Sequence, residues 1–167
     1  MTERRLIEIK VETIINNSAA TIWDYATVPE NWKASMPKDH FTLEYENGRP
    51  ETGGGFRAKE NIGKFPSHIE AHFLYVRRPF ILAWTGTASL CLMGGLIKPK
   101  FNVSGTIIFD EYEKGIKVRN TFYVDFPKSY LGKIMHWMFL SVIDGKRIFH
   151  DHIENETLYF KEKLNVH

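Results

Sequence analysis

From residue 40 to residue 126 the apolar side chains recur at every second position, and at Pro127 that rhythm stops. "FTLEY" puts Phe41, Leu43 and Tyr45 on one face. "SHIEAHFLYV" sets Ile69, Ala71, Phe73 and Tyr75 against His68, Glu70, His72 and Leu74. Such alternation marks strands buried on one side. From Ser129 to Leu164 the repeat lengthens to about 3.6 residues, the period of a helix. Leu131, Met135, Met138, Val142, Phe149, Ile153 and Phe160 then share one seam, with Gly145 on it as a place for a bend. A meander of strands followed by one long helix restricts the chain to an α+β architecture.

The residues before 40 complete the order of elements. Ile7, Ile9, Val11, Thr13 and Ile15 alternate with Glu8, Lys10, Glu12 and Ile14 in an opening strand. Ser18 is placed to cap a helix through "AATIWDYA", and Pro29 opens a second short helix, "PENWKASM". Later, "ENGRPETGGG" connects two strands, and "GTIIFDEYEKGIKVRNTFYVDF" reads as a hairpin turning at Lys114 and Gly115. One domain over 1–167 is the simplest division.

Composition narrows the function classes. A net charge of +2 with scattered Lys and Arg gives no footprint for nucleic acid. The single Cys91 excludes an internal disulfide and fits a reducing, cytoplasmic setting. The opening "MTERRLIEIK" has no apolar core of a signal peptide. No stretch approaches the roughly 20 apolar residues that span a bilayer, so stable membrane insertion is not expected.

The opening strand, "NNSAATIWDYATVPENW" with Trp23 and Trp32, "GGGFRAK", the hairpin at 105–126 and the terminal helix together resemble the helix-grip superfamily. That superfamily comprises START-related lipid carriers, polyketide cyclases and birch-pollen-type allergens. The resemblance implies a curved antiparallel sheet wrapped around a long C-terminal helix, two short helices after the first strand, and a cavity between sheet and helix. It carries no catalytic signature, because the fold hosts carriers and enzymes alike.

On that frame the loop 89–98, which holds most of the stretch "CLMGGLIKPKF", becomes a candidate lid. A connection between strands is ordinarily polar, yet this one carries Leu92, Met93, Leu96, Ile97 and Phe101 around Gly94 and Gly95. The expected ligand contacts are Trp32, Phe56, Trp84, Met93, Leu96, Phe101, Asn120, Phe122, Met135, Met138 and Phe149. Asn120 shares a face with Val118 and Phe122, and Glu60 shares one with Phe56 and Ala58, so each is a buried polar group in need of a partner. His136, Arg147 and Glu156 flank the helix seam. Glu60, His136 and Asn120 are the candidates for proton transfer if the chain is an enzyme.

Other constellations fail on spacing. His68 and His72 lie about 13 Å apart along one strand face, too far to share an ion. His150 and His152 point about 200° apart on a helix. No metal and no cofactor are therefore expected. The Gly-rich stretches lack the spacing of phosphate loops, and Cys91 has no fixed partner that would make it a nucleophile.

The reading is a binder of a hydrophobic small molecule: a lipid, an isoprenoid quinone or a polyketide-like ring system. One alternative is a cyclase- or dehydratase-type enzyme using the same cavity. Another is an interaction module docking through the apolar loop 89–98. A monomer or a homodimer fits each.

Overall fold

A computed structural model describes residues 6–165. The chain runs through β1 (Leu6–Ile15), α1 (Ala19–Ala26) and α2 (Pro29–Ser35) into six further strands. These are β2 (His40–Tyr45), β3 (Gly55–Ile62), β4 (Phe65–Arg77), β5 (Ile81–Leu90), β6 (Lys100–Tyr112) and β7 (Gly115–Asp125). Two helices close it, α3 (Tyr130–Ser141) and α4 (Gly145–Leu164). The strands form one curved, open antiparallel sheet in the order β1-β7-β6-β5-β4-β3-β2. The two short helices thus carry the chain from one edge of the sheet to the other.

Local chemistry sets these elements. The hydroxyl of Ser18 accepts the Thr21 backbone N–H at 3.1 Å, capping α1, and Pro29 starts α2 where a helix needs no N–H. The α4 helix turns Phe149, Ile153, Phe160 and Leu164 toward the sheet, the three-to-four spacing of an amphipathic helix. Its C-terminal half packs with Ile22, Trp23 and Phe109, and its N-terminal half with Phe122, Val124 and Phe126. Gly105 lets β6 pass beneath an aromatic ring. A Cβ there would lie 2.7 Å from the Trp84 indole, closer than real contacts allow.

The expected helix over 129–164 is two helices. The chain breaks after Ser141, and Asp144 takes a left-handed backbone conformation with φ of 50°. Gly145 marks the junction because α3 folds its Phe139 ring directly onto it. An added Cβ would sit 2.6 Å from that ring. The seam also needs correcting: Leu131 and Val142 are exposed, Met135 and Met138 half-buried, and Phe139 is the buried anchor of α3.

Two strand faces shift for one reason. The pairing of β2 with β3 skips a residue between His40 and Thr42, leaving Phe41 on a bulge and 45% exposed instead of inward. The pairing of β4 with β5 skips between Phe73 and Tyr75, so Val76 turns inward in place of Tyr75. Among the described residues, no helix is long and apolar enough to cross a membrane.

Candidate functional site

Between the inner face of the sheet and α4 lies a cavity of about 180 Å³. Phe56, Trp84 and Phe122 form the sheet wall, Phe149 and Phe160 the helix wall, and Trp23 closes it from α1. These rings brace one another. Trp84 meets Phe56 edge-on at 5.3 Å and Phe122 at 5.6 Å, and Phe122 reaches Phe149 across the gap at 5.5 Å. Interlocked aromatic contacts of this kind keep a cavity from collapsing onto itself.

One corner of the cavity is polar. Glu60 from β3 and His152 from α4 are in its wall, with Trp32 from α2 and Glu156 beside them. His40, the first residue of β2, lies behind and is fully buried. Its Nε2 stands 3.0 Å from His152 Nε2 and 3.5 Å from Glu60 Oε2, and His152 Nε2 stands 3.1 Å from Glu60 Oε2. The Trp32 indole stacks on the His40 ring at 3.7 Å, with 4° between the planes. His40 Nδ1 donates to the Trp32 carbonyl at 2.7 Å, since a carbonyl oxygen can only accept.

The corner divides its charges unequally. Burial holds the His40 imidazole below its ordinary value, against the opposing hydrogen bond to Trp32 and the charge of Glu60. Burial also pulls His152 down, but the hydrogen bond and charge of Glu60, with the charge of Glu156, outweigh it and raise the group. Burial pushes the Glu156 carboxyl up to about 7. The charge of His152 opposes that shift, Glu60 adds to it, and a hydrogen bond from the Trp32 side chain opposes it. Tyr45, facing the same cavity, is driven well above its ordinary value by burial and by Glu156. The corner thus sets a carboxyl raised to about 7 by burial beside a histidine raised by the hydrogen bond and charge of Glu60.

The residues singled out from sequence divide into two groups. Trp32, Phe56, Trp84, Phe122 and Phe149 are brought together on the wall, as are the polar Asn120, Glu60 and Glu156. Phe101, Leu96, Met135, Met138 and His136 fall outside it. Phe101 is buried against Phe126 at 5.4 Å, and His136 meets the same ring edge-on at 5.7 Å. Met135 packs on the core from α3. Met93 begins a short 3-10 turn, Met93–Gly95. Arg147 is exposed and paired with Asp144.

The loop 89–98 is split in character, and none of its described side chains is in the cavity wall. Leu92 packs on the core and bridges to Ile97, while Leu96 is 85% exposed. Sequence reasoning missed His40 and set His152 aside. The bulge at Phe41 gave His40 the wrong face, so no strand pattern could reveal it. His152 did have a signal, standing three residues after Phe149 on the inward side of α4.

No protein-family model matches the sequence, and no curated protein matches it. Solved structures do. The chain adopts the helix-grip fold, α+β with a seven-stranded sheet around the last long helix. An uncharacterized protein from Rhizobium leguminosarum superposes with a TM-score of 0.58 at 15% identity, over 94% of this chain and 95% of that one. The di-domain ARO/CYC protein StfQ of the steffimycin biosynthetic pathway gives a TM-score of 0.62 at 10% identity, over 95% of this chain and 51% of its own. Ara h 8.0201 gives a TM-score of 0.53 at 13% identity, over 92% and 97% of the two chains.

Proposed function

We propose that this chain binds one compact, largely apolar molecule between sheet and α4, with a polar group of that molecule turned to the Glu60–His152–Glu156 corner. The cavity carries the reading: an aromatic wall that resists collapse, interrupted by one charged patch. Apolar contact supplies affinity at about 25 cal/mol per Å² removed from water, and the patch fixes orientation. Size selects among the expected ligands. An apolar cavity of about 150 Å³ is enough to hold benzene, whereas drug-sized pockets run to roughly 300–1,000 Å³. At about 180 Å³ the space suits a small substituted ring and excludes a long lipid or isoprenoid tail unless the walls move. The likeness in fold to an ARO/CYC protein supports a ring-shaped ligand. A cytoplasmic setting, which the lone thiol of Cys91 supports, belongs to the same proposal.

Native mass spectrometry of the purified chain tests this. A retained small aromatic or alicyclic molecule is the expected finding. A retained long-chain lipid would contradict the assignment of ligand class.

A second reading, an enzyme of the cyclase or dehydratase kind, draws on one feature: burial lifts the Glu156 carboxyl to about 7 in the cavity wall, beside His152, which Glu60 raises. It differs in outcome. A bound compound would leave chemically changed, and Glu156→Gln would stop the conversion while leaving binding intact. Recovery of every bound compound unchanged would leave binding as the function.

A further inference from the structure

We infer that His40, Glu60 and His152 form a binding site for one divalent first-row metal ion at the edge of the cavity. This goes beyond the sequence expectation that no metal is bound, which tested only histidines within a single strand or helix. Here the three donors come from β2, β3 and α4, and only the fold brings them together.

The distances carry the inference. An ion about 2.1 Å from each of three donors, at angles of about 90–110°, holds those donors about 2.9–3.4 Å apart. His40 Nε2, His152 Nε2 and Glu60 Oε2 form a triangle with sides of 3.0, 3.1 and 3.5 Å. Two imidazoles and one carboxylate are also a donor set that zinc and its neighbours take, leaving further positions open.

Hydrogen counting gives a second, independent reason. The Nδ1–H of His40 is engaged by the Trp32 carbonyl, so in the neutral ring Nε2 presents a lone pair. Glu60 Oε2 presents another. Only one hydrogen, on His152 Nε2, is then available to three electron-rich atoms packed within 3.5 Å of one another. A single hydrogen, even shared between both neighbours, leaves the His40–Glu60 side with none. A cation at the centre satisfies all three contacts.

The surroundings are those of a metal ligand. A histidine that binds metal characteristically donates its other ring N–H to a carbonyl or carboxylate, which fixes tautomer and orientation. His40 does so, and the Trp32 indole stacked on its ring holds it in place. Because Glu60 and His152 are part of the cavity wall, an ion they share borders the cavity. It is placed to take an oxygen of the bound molecule, or a water, as an additional ligand. That last role rests on the cavity reading; the ion site itself does not.

The test uses the whole chain and the metal alone. After dialysis against a chelator, the protein is titrated with Zn(II) by calorimetry and with Co(II) by visible absorption. One ion per chain is expected, with a d–d spectrum for Co(II) and a rise in melting temperature on loading. His40→Gln, Glu60→Gln and His152→Asn should each weaken binding by more than about a hundredfold. His150→Ala, in the exposed group His150, Asp151 and Glu154 on α4, should change nothing. The parent titration decides even where a variant fails to fold: absence of saturable one-to-one binding overturns the site. So does binding that survives His152→Asn or is lost in His150→Ala. Binding of ring compounds is measured separately, so a cavity that binds nothing alongside a normal metal titration would sink the cavity reading alone.

Discussion

His40 and His152 present their Nε2 atoms to each other at 3.0 Å across 112 positions of sequence. The contact joins the edge of the sheet to the last helix, within a cluster from which bulk water is excluded. Removing the His40 ring would leave a void beneath Trp32 and strip His152 of a partner. His40→Ala should therefore cost about 2–4 kcal/mol, a cavity term added to a polar one. Urea unfolding of the metal-free protein measures it, and a loss below about 0.5 kcal/mol, the range of an ordinary surface change, would contradict the account.

Glu156 gives stability a particular slope with pH. Its folded-state value is about 7 against an ordinary 4.5, so the folded chain holds this proton over the interval where the unfolded chain has released it. The contribution is fullest below the unfolded value and is lost as pH rises through the folded one. Above pH 7 the buried charge is a constant cost. Glu156→Gln should remove that slope, matching the parent near pH 5 and exceeding it at pH 8 by on the order of 2 kcal/mol. Melts of both proteins in metal-free buffer at the two pH values check it. A variant less stable than the parent at pH 8 would reverse the sign and refute it.

Leu92 and Leu96 flank the same pair of glycines but differ in what they touch. Leu92 packs on the core, whereas Leu96 is 85% exposed. Leu92, half-buried, should lose on the order of 1 kcal/mol on change to Ser, part of the roughly 1.5–3 kcal/mol that full burial of a leucine is worth, while Leu96→Ser should stay within about 0.5 kcal/mol of the parent. Thermal melts of the two variants separate the outcomes. Equal losses would mean that Leu96 is covered in solution.

The architecture was legible in sequence because it rests on long periodic segments whose apolar faces average over many residues. The opening strand, the Ser18 cap, the Pro29 start and the hairpin at Gly115 all stand where local chemistry puts them. The wall residues Phe56, Trp84, Phe122 and Phe149 followed from the same periodicity. Parity failed where a single extra residue entered a strand. The bulge at Phe41 hid His40, and the bulge near Leu74 exchanged Tyr75 for Val76. The helix seam failed for a different reason. Ahead of the break at Asp144, α3 takes its own direction, so its apolar pattern does not answer to the sheet that orders α4. The polar corner joins residues 40, 60 and 152, a distance at which sequence spacing carries no information.

Three of the four tryptophans, Trp23, Trp32 and Trp84, line the cavity, so tryptophan emission reports directly on what enters it. The decisive measurement is a fluorescence titration of the parent and of Val118→Phe, whose larger side chain would occupy the cavity. Met138→Trp, outside the wall, serves as a second variant followed by displacement of a bound fluorophore. The account predicts saturable one-to-one binding of a phenol- or naphthol-sized ring by the parent and by Met138→Trp. It also predicts at least about a tenfold loss in Val118→Phe, equivalent to about 1.4 kcal/mol, with no competition from a long-chain fatty acid. Equal binding by Val118→Phe, or preference for the fatty acid, would contradict it.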